Sequence, residues 1–158
     1  MKKKYYFILL FVILITSALF ILLGKGGTDP QVVVDAYEKE WGITIPAPDS
    51  ETPIYATEST ESGNGQWATL YAFKEAPSLK DSGMEKLTAK TLEQYEEKIR
   101  NFEKQTIAER KDAKASFEEH HPKLTEGDYG FYKEKNNGDD YFIAVYHNKE
   151  LYTYTWHQ

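Results

Sequence analysis

The chain opens MKKKYYFILLFVILITSALFILLGKGGTDP, and the 19 residues from Tyr5 to Leu23 carry no charge. No other feature restricts the fold as strongly. At about 1.5 Å per residue such a run makes a helix of roughly 28 Å, close to the hydrocarbon thickness of a bilayer. A secretory signal has a shorter apolar region, about 7–15 residues, ending at a small-x-small site. Here Leu22 and Leu23 stand where small residues are wanted, and Gly24-Lys25-Gly26 is a poor substitute. Cysteine is absent, which excludes lipoprotein processing. The run reads as a retained transmembrane helix. Lys2, Lys3 and Lys4 precede it and only Lys25 lies close behind. The positive-inside rule then keeps the N-terminus cytoplasmic and sends the remainder outside.

This divides the chain into residues 1–27, an anchor with a short Gly-rich hinge, and residues 28–158, one extracytoplasmic domain large enough for a single core. Four of the 19 Lys and Arg precede residue 28, whereas all 25 Asp and Glu follow it, leaving residues 28–158 at a formal −10. That sign repels nucleic acid and anionic headgroups and favours a basic partner, although a solvated surface is the blander reading. Without cysteine the domain has neither disulfides nor thiolate metal sites. Such a composition suits a single-membrane, Gram-positive bacterium. Trp41, Trp67, Trp156 and ten tyrosines beyond the span argue for a packed core rather than a disordered stalk.

Pro30 suits the first turn of a helix, QVVVDAYEKEW places Val33, Tyr37 and Trp41 on one face, and Gly42 stops it. PIYATEST and QWATLYAF, joined by ESGNG, read as a β-hairpin, and KEAPSLKDSG as a loop. From Lys86 the period changes. Leu87, Leu92, Tyr95, Ile99 and Phe102 form an amphipathic stripe, followed by a second helical segment that Pro122 must end. DYGFYKEK, YFIAVY and LYTYTWHQ, separated by NNGDD and HNKE, make a three-stranded meander. The expected fold is α+β: one antiparallel sheet of about five strands, hairpin plus meander, with helices packed on one face.

Catalytic signatures are absent from the sequence. G-x-S-x-G, S-x-x-K, H-E-x-x-H, a phosphate-cradling glycine loop and a dinucleotide fingerprint are all missing. A triad assembled only by folding stays open. EEHHP sets His120 beside His121. Neighbours on a helix point about 100° apart, so a helix end is the simpler reading than a metal site. NNGDD is a hairpin turn, not a calcium loop. No catalytic residue, cofactor or metal ligand is assigned.

Along the last strand Tyr152, Tyr154 and Trp156 share a face, and Tyr146 lies on the neighbouring strand. If helices cover one face of the sheet, the other can present these aromatics as a partner-binding patch. The alternative is that the stripe is the core face. In layout the chain is similar to small membrane-anchored proteins of Gram-positive bacteria, and in outline to membrane-anchored immunity proteins that neutralise secreted toxins. The expectation is a single-pass cell-membrane protein displaying a non-enzymatic domain that binds an envelope or secreted protein. An immunity, inhibitor or secretion-accessory role would fit. A minor envelope hydrolase and a ligand-sensing tether are the alternatives.

Overall fold

The computed structural model describes residues 30–57 and 64–158. The apolar run at 5–23, with the anchor, orientation and hinge read from it, lies outside the described residues. Among those residues no helix is long and apolar enough to cross a membrane.

Helix α1, Pro30–Trp41, ends where expected. Gly42 takes a left-handed φ of 76° that a residue with a Cβ adopts only under strain. Its N–H reaches back to the carbonyls of Tyr37 and Glu38 at 3.1 and 2.9 Å. Strands β1 (Ser50–Ala56) and β2 (Gly65–Ala72) form the hairpin, with a register shift between Pro53 and Tyr55. Strand β3 is only Glu85–Lys86. Helix α2, Ala89–Glu109, follows. Its N-terminus is a capping box: Thr91 N donates to Thr88 Oγ1 at 3.4 Å and Thr88 N to Thr91 Oγ1 at 2.8 Å. Leu87 before the cap and Leu92 in the next turn join the same apolar cluster, as in a hydrophobic staple. The short α3, Lys114–His120, comes before β4 (Tyr129–Lys135), β5 (Asp140–His147) and β6 (Glu150–His157). Asn148 and Lys149, both at positive φ, make the tight β5–β6 turn.

Among the described residues the sheet has six strands rather than about five, all antiparallel, in the order β1-β2-β6-β5-β4-β3. The hairpin therefore docks on β6, with Leu70 opposite Tyr152 and Tyr71 opposite Leu151. The expectation of helices on one face is overturned, because both faces are covered. Tyr95, Ile99 and Phe102 of α2 and Phe117 of α3 pack on Ala68, Ile143, Val145, Tyr152, Tyr154 and Trp156. Val34 and Trp41 of α1, with Ile43 and Ile45, pack on Tyr71, Phe142, Ala144 and Leu151 across the sheet. Two amphipathic helices each need an apolar surface, and a strand whose alternate residues are all apolar or threonine supplies one on each side. Gly130 marks how near α2 comes to β4: a Cβ there would sit 2.7 Å from the Tyr95 ring.

Candidate functional site

β6 is buried nearly from end to end, and this decides the fate of the aromatic stripe. Tyr152, Tyr154 and Trp156 are 7, 0 and 6% exposed. They belong to the core beneath α2 and α3, so the sheet offers no free aromatic patch there. Tyr146 lies on the opposite face. It pairs with Leu151, whereas Tyr152 pairs with Val145, and its ring meets Phe73 at 6.2 Å. The four candidates thus share no surface. Two of them still reach clefts, at opposite ends of β6.

Trp156 lines a cleft of about 410 Å³ with Gln66, Glu109 and His157. Gln66 is buried, and its Nε2 donates to Glu109 Oε2 at 3.0 Å. Thr57 and Asn64 on the rim flank residues 58–63, which lie outside the described residues. Nearby, His157 sits between the rings of Trp41 and Trp67, 5.6 and 5.8 Å away. Its Nε2 faces Glu40 at 3.3 Å and its Nδ1 faces Asp140 at 3.4 Å. Burial raises the Asp140 carboxyl, but the Gln158 N–H, the Asn136 amide and His157 outweigh it and hold the group below the usual carboxylate range. This end reads as a clamp that fastens α1 and the C-terminal residues to the sheet.

Tyr152 lines the other cleft, about 340 Å³, and here the histidines gather. His120 closes α3. His121 has already left the helix, at φ −65° and ψ 123°, because the residue before Pro122 is pushed towards extended backbone. The 100° divergence expected of two helical neighbours therefore does not apply. His147 comes from the end of β5, and all three rings line the same cleft. In each ring Nδ1 is engaged. His120 Nδ1 meets the Ser116 carbonyl at 3.0 Å, His121 Nδ1 the Glu103 carboxylate at 2.9 and 3.1 Å, and His147 Nδ1 the Asp128 carboxylate at 2.8 Å. These partners fix each ring's orientation and set the neutral tautomer, with hydrogen on Nδ1 and a lone pair on Nε2. Burial pushes the Glu103 carboxyl up, and His121 and Arg100 offset only part of it. Glu119 and Glu150 add carboxylates to the lining, Tyr152 Oη donates to Glu150 Oε2 at 2.7 Å, and Leu70 supplies an apolar wall.

The histidine cleft is not legible in the sequence because its members come from β2, α3, β5, β6 and the segments between them. The signal available was EEHHP followed at once by a helix-ending proline. Among the described residues no three His, Asp or Glu stand so that they could hold one metal ion. Comparison with known protein families, with curated proteins and with solved structures gives no match.

Proposed function

We propose that the chain is a single-pass cell-membrane protein that displays a binding domain outside the cytoplasm and engages an envelope or secreted protein through the histidine cleft. The cleft carries this reading. Three histidine rings, each with Nδ1 against a half-buried partner, line with the Glu119 and Glu150 carboxylates a recess on a domain of formal charge −10. The uncharged run at 5–23 supplies the anchor. An immunity, inhibitor or secretion-accessory role fits such a domain.

Topology is directly testable because the chain has no cysteine of its own. Lys80→Cys, at an exposed position, should react with a membrane-impermeant maleimide on intact cells, and Lys3→Cys only after permeabilisation. Labelling of Lys80→Cys only after permeabilisation would sink the outward display. Affinity capture with the full-length protein should recover one stoichiometric protein that Glu150→Gln releases. Recovery of nothing at any salt concentration removes the binding role.

A second reading, an envelope hydrolase, is favoured by the Asp128–His147 and Glu103–His121 pairs. A histidine backed by a carboxylate at Nδ1 is poised to take a proton at Nε2. The described residues lining the cleft include no serine or threonine, so such an enzyme would activate water.

A further inference from the structure

We infer that the histidine cleft receives the guanidinium group of an arginine side chain presented by the partner protein, an inference that rests on the binding role proposed above. Chemistry selects the occupant. With Nδ1 of His120, His121 and His147 each against an acceptor, a ring in its neutral form carries a lone pair, not a hydrogen, at Nε2. Glu119 and Glu150 extend the same character. Among the described residues the Glu150 carboxylate accepts the Tyr152 hydroxyl, and a carboxylate has lone pairs for further donors. The recess therefore wants a cation rich in N–H groups.

A metal ion draws its ligands in to about 2 Å, and no three acid or imidazole side chains of the described residues are placed for that. Guanidinium is larger. It offers five N–H donors in a planar fork and reaches acceptors that are spread apart. Its flat face stacks on aromatic rings, and the half-buried Leu70 and the buried Tyr152 give the cleft an apolar wall beside the acceptors. A lysine ammonium, a compact and strongly hydrated point charge, uses such a surface less well. Lys123 is the one cation among the described lining residues, so the local balance stays acidic like that of the domain. Electrostatic complementarity and the hydrogen-bond inventory agree on one occupant.

The test uses the full-length protein in detergent micelles, labelled at the histidine rings and followed by NMR. The peptide acetyl-Gly-Arg-Gly-amide should shift the ring signals of His120, His121 and His147 and leave His157, at the far end of β6, in place. The same peptide with citrulline for arginine keeps the shape but loses the charge, and should bind at least tenfold more weakly. Glu150→Gln, nearly isosteric, should lower arginine-peptide affinity about tenfold, with unchanged His157 signals reporting an intact fold. Equal binding of the citrulline peptide overturns the inference, as does no shift with either peptide. Shifts of the same three rings by zinc chloride alone would replace it with a metal site, and shifts by inorganic phosphate alone would replace it with an anion site. The outcomes are separable from those of the binding role. Arginine-specific shifts without a captured partner remove the role and keep the pocket, and capture without those shifts does the reverse.

Discussion

The two faces of the sheet are both closed, but by different means. On one, the 21-residue α2 lays a regular stripe across the strands and Phe102 sits at its centre. Its ring meets those of Phe117, Tyr141, Tyr154 and Trp156 at 5.2 to 6.4 Å, always near edge-on. On the other face the 12-residue α1 packs Val34, Tyr37 and, at its last residue, Trp41. Trp41 stacks on Phe142 at 5.5 Å and 16°. Lys133 of β4 donates to the Trp41 carbonyl at 2.8 Å, and Lys135 lies 4.0 Å over its ring. One face is held by periodicity along a long helix, the other by a shorter helix whose Val34, Tyr37 and Trp41 meet the sheet and whose last residue is also gripped from the strand side.

That contrast can be broken in stages. Alkali is the coarsest tool. Burial raises the ionisation of Tyr37 and Tyr71 on the α1 face and of Tyr95 and Tyr154 on the α2 face above the ordinary tyrosine value of about 10. A group raised on folding stabilises the fold fully below its unfolded pKa and progressively less above it. The domain should therefore stay folded up to about pH 10. Beyond that it should lose both faces together, with tyrosinate absorbance rising in step with loss of circular dichroism. Gradual ionisation without unfolding would show that these rings are not sealed.

Truncation separates the faces more finely. Phe102→Ala should cost about 3–5 kcal/mol in urea unfolding and weaken the whole domain. Trp41→Ala should cost about 3 kcal/mol, with a different signature: hydrogen exchange should accelerate in α1 while α2 keeps its protection. Uniform acceleration would mean that the faces behave as one unit. The smallest effects concern hydroxyls. Tyr71 Oη lies 3.2 Å from Tyr37 Oη, which also meets Thr153 Oγ1 at 3.2 Å. Tyr71→Phe should cost about 1 kcal/mol. Among the described residues the buried Tyr154 hydroxyl has no hydrogen-bond partner, so Tyr154→Phe should leave stability unchanged or raise it. Thermal melts of the two variants decide between these signs.

Much of the fold was legible because it is local. Pro30 and Gly42 bracket α1, the α2 stripe has a helical period, and asparagine and glycine turns punctuate the meander. What was not legible depends on distant partners. β3 is two residues long and exists only because β4 is there to pair with it. The choice of face for α1 is made by Phe142 and Leu151, more than 100 residues away. The aromatic candidates failed for a related reason. A strand covered on both sides carries apolar residues in both registers, so alternation alone cannot say which set meets water. Leu151, Thr153 and Thr155 on the opposite register are as buried as Tyr152 and Trp156, and the lack of any charge from Leu151 to Trp156 was the available warning. The histidine cleft needed the turn at His121, visible in sequence only as the proline after it.

The position of β6 has a further consequence, one of timing. It lies between β2 and β5, yet it follows every other strand along the chain. β2 waits for a neighbour 82 residues downstream, from Leu70 to Tyr152. Such long-range pairing slows folding, because the loop must close before its contacts reward it. A chain emerging N-terminus first, from a ribosome or through a membrane pore, holds an unfinished sheet until its last strand is out. A sheet that cannot close early is one that can still be threaded.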